Sequence, residues 1–241
     1  MKTAKSTEQA ELAPPGTALI LKGVVALFGS LVVLGALLFL LAGRLDWVMA
    51  WVWLGLLTVC LLINLAVLWR VNPEVIDERI HVRKGVKGWD KVLSPIMGMF
   101  AIGALLVAAL NQRFGWRPEV ATWLQIAAVA PVLLGDLLFL WAMAVNKFFS
   151  KFIRIQEERG HHVVTAGPYQ YVRHPGYIGW IVMWSGMTLM LGSLWALVPA
   201  GLAVLLVLVR TVLEDRTLRQ ELEGYSDYAE RVRYRLLPGI W

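Results

Sequence analysis

The sequence contains apolar blocks that are too long for the core of a small soluble domain. A helix needs about 20 apolar residues to cross the hydrocarbon core of a bilayer. Four blocks approach that length, at residues 18–42, 47–69, 93–110 and 120–145. A fifth, 177–209, is interrupted at Gly192-Ser193 and is read as two helices, 177–191 and 194–213. Since 58% of the residues are hydrophobic and only 17% are charged, the sequence predicts an all-α polytopic integral membrane bundle with five or six transmembrane spans.

The distribution of lysine and arginine indicates an orientation in the membrane. Of the 23 basic residues, only Arg44, Arg113 and Arg117 fall in the loops of one side, and the other 20 fall on the opposite side. Cytoplasmic loops carry such an excess, so both termini are expected in the cytoplasm, most simply at a bacterial inner (cell) membrane. The net charge of +6 is therefore explained mainly by the orientation of the loops in the membrane. Anionic lipid headgroups are expected as partners, and nucleic acid is not.

Metal and disulfide chemistry are not expected. Cys60 is the single cysteine, and it lies within a predicted span, so an internal disulfide is impossible. The four histidines lack the spacing of convergent zinc ligands.

The first half of the chain, residues 1–145, is expected to be a scaffold of four spans. Asp136 lies inside the fourth span, where a carboxylate is costly unless it is paired, and we interpret it as a hydrogen-bonded core residue. The charged loop 70–92 is expected to form an interfacial helix broken at Gly85 and Gly88, and no chemistry is assigned to it.

The second half, residues 146–241, concentrates polar groups on the predicted cytoplasmic face. About thirty residues after the fourth span lack a long apolar block and interleave aromatic with polar side chains. Pro175 suits the first turn of a helix, which places Arg173, His174, Gly176 and Tyr177 where free backbone N–H groups favour an anion. Gly176 is expected to admit a ligand close to the backbone.

The last apolar helix continues into a polar segment. Arg210 and Glu214 are four residues apart and share a helix face. Beyond them, apolar and tyrosine side chains recur at helical spacing, as expected for a helix that lies against the membrane or over the preceding loop: Leu218, Leu222, Tyr225, Tyr228 and Val232. Singly, each of these features fits an interfacial anchor. Together they offer stacking surfaces, donors for a carboxylate and π-faces or a carboxylate for a cation, which is the mixture that S-adenosylmethionine requires.

Three segments in this order resemble the isoprenylcysteine carboxyl methyltransferase family and its phospholipid methyltransferase relatives. They are HHVVTAGPYQYVRHPGYIGW, then RTVLEDRTL after about thirty residues, then GYSDYAERV with a later proline. The family pattern is a G-x-Y…R-H-P-x-Y loop, an R-x-x-x-E-E helix and a Y-x-x-Y segment. It covers residues 146–241, and the second acid of the pair is Asp215 here.

The resemblance implies a membrane enzyme that transfers a methyl group from S-adenosylmethionine to a lipophilic or prenylated acceptor entering from the bilayer. Arg210 would bind the acceptor, and Arg210 and Glu214 are the implied catalytic residues. The implied cofactor contacts are Gln156, His161, His162, Val163, Val164, Tyr169, His174, Pro175, Gly176, Tyr177 and Glu214.

Other functions stay open. An arginine suits an acceptor carboxylate, which it can bind with two parallel hydrogen bonds, so O-methylation of a carboxylate is the favoured reaction. N-methylation of a phospholipid amine is the alternative within the resemblance. Some sterol and carotenoid redox or isomerase enzymes carry a related C-terminal half and would use NADPH or haem. A membrane scaffold without catalysis would leave the three-part spacing unexplained.

Overall fold

A computed structural model describes residues 17–81 and 84–241, with side chains from residue 28 onward. The segment 1–16, which includes the predicted cytoplasmic N-terminus, lies outside the described residues. The helices are α1 (Thr17–Ala42), α2 (Val48–Val71), α3 (Pro73–Ile80), α4 (Gly88–Phe114), α5 (Thr122–Ala127), α6 (Val129–Val145), α7 (Pro175–Met190), α8 (Leu197–Glu221) and α9 (Tyr225–Arg231).

The predicted all-α membrane architecture is confirmed. The described ranges contain no β-strand, and the chain is an integral membrane protein. Within these ranges, four helical segments are long and apolar enough to cross a bilayer: Val48–Val71, Gly88–Phe114, Thr122–Val145 and Leu197–Glu221. Phe28–Ala42 is only the part of the 26-residue α1 whose side chains are described. Helix α7, with 16 residues, is shorter than the ~20 residues of a full crossing, so the count of five or six spans is not established.

The main hydrophobic core lies towards one end of the bundle. It is formed where the C-terminal parts of α1, α4 and α7 meet the N-terminal parts of α2 and α8, and many of its members are alanines, among them Ala50, Ala104, Ala108, Ala109 and Ala200. Small side chains let helices approach closely in a membrane protein. A cavity lies towards the opposite end of the bundle.

The closest helix crossing joins α6 to α7. A Cβ atom at Gly135 would lie 2.6 Å from the backbone oxygen of Gly179, and a Cβ atom at Gly179 would lie 2.5 Å from the oxygen of Gly135. Backbone therefore packs on backbone at this crossing, which fixes the start of α7 relative to the end of α6.

The loop 70–92 differs from the prediction. It forms the short helix α3, and Gly88 begins α4 instead of breaking an interfacial helix. Asn72 joins α2 to α3 and donates from its side chain to the backbone oxygen of Met143 at 2.8 Å. This bond ties the loop to the end of α6, beside the cavity.

Asp136 has a hydrogen-bond partner in the bundle. The side-chain amide of Asn64, on α2, donates to its Oδ1 atom at 3.1 Å. This contact agrees with the interpretation of Asp136 as a hydrogen-bonded core residue.

Candidate functional site

A cavity of about 430 Å³ lies between the segment 146–174, α4, α7 and α8, within the usual range of roughly 300–1,000 Å³ for small-molecule pockets. Most of the site residues predicted from the sequence line it: His161, His162, Val163, Val164, Tyr169, His174, Gly176, Tyr177, Arg210 and Glu214. Gln156 and Pro175 are buried outside this lining. The first half of the chain also contributes to the wall, through α4.

The segment before α7 forms an aromatic wall. The Phe148 ring lies 4.4 Å from that of His161 and 4.9 Å from that of His162, measured between centroids. Gln156 supports this wall from behind: its side chain donates to the backbone oxygen of Phe148 at 2.7 Å, and its backbone N–H donates to Nδ1 of His161 at 3.2 Å. Gln156 is therefore placed to position the wall instead of facing the cavity.

His161 is neutral in this environment. Burial lowers its pKa to about 4, and the positive charges of His162, Arg154 and Arg159 act in the same direction. Because Nδ1 accepts the backbone N–H of Gln156, the proton of the neutral ring is on Nε2. His161 thus adds an uncharged ring and one donor to the site.

Tyr169 is held at both ends. Its hydroxyl accepts from Asn146 at 3.2 Å, while its backbone oxygen accepts from the Tyr228 hydroxyl at 2.7 Å. Burial raises the pKa of Tyr169 above its ordinary value, so the phenol stays protonated.

The C-terminal segment covers the 146–174 segment. Leu222, Tyr225, Tyr228 and Ala229 form a cluster with Ile155 and Val163, which confirms that this part of the chain packs over the preceding loop. The predicted helical spacing is interrupted, because α8 ends at Glu221 and Gly224 takes a φ of 77° before α9. Two short helical faces therefore replace one continuous helix.

Arg173 does not join an anion site at the start of α7, contrary to the prediction. Its Nε and Nη2 atoms donate to Asp215 at 2.7 and 3.1 Å, and Nη1 donates to the backbone oxygens of Val232 and Arg233. Asp215 also accepts from Tyr225 at 3.0 Å and from Arg235 at 3.2 Å. Because Asp215 does not line the cavity, its contacts serve to fasten the C-terminal segment to α8.

Gly176 lines the cavity and is also required for packing, so the prediction that it admits a ligand stays a prediction. A Cβ atom there would lie 2.8 Å from Cε2 and 3.0 Å from Cζ of Phe149. The space beside the Gly176 backbone is therefore filled by an aromatic ring. Phe149 also lines the cavity, so a side chain at 176 would displace part of its wall.

Tyr177 and His174 face Glu214 across the cavity. The Tyr177 hydroxyl donates to Oε2 of Glu214, and the rings of His174 and Tyr177 stack with centroids 5.7 Å apart. Nδ1 of His174 lies 3.9 Å from Oε2 of Glu214, and Nε2 lies 3.6 Å from Oδ1 of Asp215. The His174 ring therefore lies between an acid of the cavity and the acid that fastens the C-terminal segment.

Arg210 is not paired with Glu214. Its Nε and Nη2 atoms donate to the two carboxylate oxygens of Asp90 at 2.8 and 3.0 Å, and Nη2 also donates to the backbone oxygen of Lys151 at 2.9 Å. Asp90 accepts further bonds from the Ser94 hydroxyl and the Ile153 N–H, each at 2.7 Å. The loop 70–92 and the start of α4 thus supply a site partner, although no chemistry was expected there.

The remaining wall is apolar. It is formed by side chains of α4, α7 and α8, namely Met97, Ala101, Ile102, Trp180, Trp184 and Val207. The cavity therefore combines charged and hydrogen-bonding groups at one side with a surface suited to a hydrocarbon chain.

Sequence reasoning missed several residues of the site, including Arg79, Asp90, Asn146 and Phe148. Asp90 and Arg79 belong to a loop whose charges were assigned to topology. An acid in the first turn of an apolar helix was the available signal for Asp90, but its partner is 120 residues away.

Comparison with known proteins shows a similarity that lies mainly in the C-terminal half of the chain. Residues 126–220 match the isoprenylcysteine carboxyl methyltransferase (ICMT) family. The chain is 31% identical over 140 residues to the protein-S-isoprenylcysteine O-methyltransferase of Rattus norvegicus, covering 55% of this chain and 48% of the rat protein. It is 30% identical over 118 residues to protein-S-isoprenylcysteine O-methyltransferase B of Arabidopsis thaliana, covering 46% of this chain and 57% of the plant protein.

A probable protein-S-isoprenylcysteine O-methyltransferase of Oryza sativa subsp. indica is 27% identical over 171 residues, covering 69% of this chain and 88% of the rice protein. The chain thus spans about half the length of the rat and Arabidopsis relatives that it matches. The matched region contains the segment 146–174, α7 and α8, which build three walls of the cavity. Through this region, the chain is similar to the isoprenylcysteine carboxyl methyltransferase family.

Proposed function

We propose that this protein is a membrane methyltransferase that uses S-adenosylmethionine to methylate the carboxylate of a lipophilic, isoprenylcysteine-like acceptor. The observation that carries the proposal is the composition of the cavity. Ring surfaces, a carboxylate and arginines lie at one side, and an apolar wall lies at the other.

The residues present fit the cofactor. His161, Phe148 and the apolar Val163 and Val164 offer surfaces for a flat base, and Glu214 offers a carboxylate to hydroxyl groups or to a cation. His174 lines the cavity and stacks on Tyr177, so its ring offers a further surface to the cofactor. Gln156 and Pro175 would act indirectly, the first through Phe148 and His161 and the second as the first residue of α7.

S-adenosylmethionine, when bound, supplies an electrophilic methyl group on a positively charged sulfur. The chain supplies position and environment. Tyr177 holds the Glu214 carboxylate in one orientation, and α9 packs over the 146–174 segment, which limits access of water. Alignment of two reacting groups and exclusion of water account for a large part of such accelerations.

Methylation of a carboxylate suits this set of residues. A carboxylate oxygen is already a nucleophile and carries no proton that must be removed, so the site needs no general base. A protonated amine would have to lose a proton first, and it would meet the positive charge of Arg79 in the cavity wall. This charge disfavours N-methylation of an amine headgroup.

Calorimetric titration of the purified protein in detergent tests the cofactor. We expect S-adenosylmethionine and S-adenosylhomocysteine to bind and NADPH to give no heat of binding. His174→Ala removes one ring of the stacked pair beside Glu214, and Tyr177→Phe removes the hydroxyl that donates to Glu214. Each variant should therefore bind both S-adenosylmethionine and S-adenosylhomocysteine more weakly. Tyr171→Phe is the control, since Tyr171 belongs to the same segment but is 65% exposed. Binding of NADPH alone would instead support a redox enzyme.

The orientation is also a proposal, supported by the distribution of basic residues. The cavity end of the bundle carries most of them, so the cofactor would enter from the cytoplasm. A reporter fused after Trp241 should read cytoplasmic, and one in the loop 111–119 should read on the other side. Two cytoplasmic readings would refute this topology.

A further inference from the structure

Four arginines line the cavity, and they differ in how their charge is balanced. Arg154 pairs with Glu78 at 2.8 Å and with Glu158 at 2.7 Å, and Arg173 pairs with Asp215. Arg210 pairs with Asp90. In the described ranges, 17–81 and 84–241, no carboxylate lies within ion-pairing distance of the fourth, Arg79.

Aromatic rings hold Arg79 in place. The carbon of its guanidinium lies 5.4 Å from the ring centroid of Phe139 and 5.8 Å from that of Phe149. These two rings meet edge to face, with centroids 5.4 Å apart. A cation over aromatic faces is attracted by the rings, but such contacts leave the charge itself uncompensated and the planar donors available to an anion.

The surroundings of Arg79 favour an anion. Burial lowers the pKa of Arg79, and the charge of Arg210 acts in the same direction, so the two guanidinium groups influence each other across the cavity. An arginine nevertheless stays protonated in proteins. A negatively charged ligand in the cavity would offset the cost of burying the Arg79 charge and would reduce its repulsion from Arg210.

We propose that Arg79 binds the carboxylate of the acceptor and selects acids over neutral headgroups. This inference rests on the proposed function and extends it to a residue of α3. Arg210 then supports the site indirectly, because its Nε and Nη2 atoms already donate hydrogen bonds to Asp90 and to the backbone oxygen of Lys151. Glu214 remains for the sulfonium of the cofactor, so the acceptor carboxylate and the sulfonium have separate counterparts in the wall.

The test compares binding of an acid and its amide, which requires no turnover. N-acetyl-S-farnesylcysteine and its carboxamide are titrated into the purified full-length chain by calorimetry, with wild type, Arg79→Met, Arg79→Lys and Arg70→Met. Arg70 is the matched control, since it is an exposed arginine at the end of α2 and does not line the cavity.

We expect wild type and Arg70→Met to bind the acid at least about tenfold more tightly than the amide, because a bond to a charged group contributes that much. Arg79→Met should lose this preference and keep its affinity for S-adenosylhomocysteine. Arg79→Lys, which keeps the charge without the planar fork, should show an intermediate preference. If Arg79→Met fails to bind S-adenosylhomocysteine, the substitution has disturbed the fold. The acid preference of Arg79→Lys is then compared with that of wild type instead.

The proposal would be overturned if Arg79→Met kept the preference for the acid. If the methionine variant does not fold, a full preference for the acid in Arg79→Lys would overturn it. A wild-type protein that binds acid and amide equally would also overturn it. The proposed function fails differently: a wild type that prefers the acid through Arg79 but transfers no methyl group would refute the activity and leave the carboxylate site standing.

Discussion

Asp90 and Arg210 form a buried bidentate ion pair that joins the first turn of α4 to the middle of α8. The distances are 2.8 Å between Nε and Oδ1 and 3.0 Å between Nη2 and Oδ2, and the two residues are 0% and 5% exposed. Ion pairs of this kind are costly to break, because the remaining charge stays buried without a partner.

Asp90→Asn should therefore lower the free energy of unfolding by about 3–5 kcal/mol. Arg210→Met should cost a similar amount. The double variant Asp90→Asn, Arg210→Met removes both charges and should be more stable than either single variant. Thermal unfolding in detergent measures all three, and equal, additive losses would contradict a coupled pair.

Substitutions of Glu214 and Arg210 should affect different properties, namely cofactor affinity and turnover. Glu214→Gln removes a negative charge from the cavity but keeps a hydrogen-bond acceptor for Tyr177, so affinity for the positively charged S-adenosylmethionine should fall about tenfold. Affinity for the uncharged sulfur of S-adenosylhomocysteine should fall less. Equal losses for both ligands would argue against a role for the Glu214 charge.

Arg210→Met, studied with Asp90→Asn to avoid a buried unpaired acid, should keep its cofactor affinity. Its turnover should fall by about 100-fold, since small errors in the position of an acceptor have effects of that size. Titration calorimetry and a methyl-transfer assay separate the two quantities. Undiminished turnover would remove Arg210 from the site.

The crossing of α6 and α7 should not tolerate a side chain. Gly135→Ala places a Cβ atom 2.6 Å from backbone atoms of Gly179 and Met183, so the helices must separate and the melting temperature should fall by several degrees. Gly55→Ala is the control, because nothing lies within 4 Å of its Cβ position. In a helix interior, alanine is favoured over glycine by roughly 0.5–1 kcal/mol, so this control should be neutral or stabilising.

Lowering the pH should destabilise the folded protein through protonation of His161 in the aromatic wall. Its pKa is about 4 in the folded protein against an ordinary value of 6.5. Between these values the unfolded chain binds more protons, so the free energy of unfolding rises with pH from 4 to 6.5. His161→Gln should show a shallower rise over that window, as measured by thermal unfolding against pH. Parallel curves for wild type and variant would show that His161 does not titrate in this way.

The membrane helices and the residues of the three-part motif could be predicted from the sequence, because both depend on local signals. Apolar length defines α2, α4 and α8, and the spacing around His174 and Tyr177 marks the start of α7. Prediction was weaker for α7 itself, since a 16-residue helix can be either a short span or a packed core helix.

Partners across long sequence separations could not be predicted. Arg210 and Glu214 share a helix face, but which acid an arginine contacts depends on neighbouring helices, and here it is Asp90. Gly176 shows the same limit, because the sequence does not reveal that the ring of Phe149 packs where a side chain at 176 would lie. Which arginines of the cavity are paired with a carboxylate likewise depends on how the helices pack.

The most direct measurement of the central claim is transfer of a radiolabelled methyl group from S-adenosylmethionine to N-acetyl-S-farnesylcysteine by the purified protein, followed by treatment with base. A methyl ester releases volatile methanol in base, whereas an N-methyl group does not. We predict labelled, base-labile product with wild type. Base-stable product, or no transfer to this acceptor under conditions in which S-adenosylmethionine binds, would contradict the account.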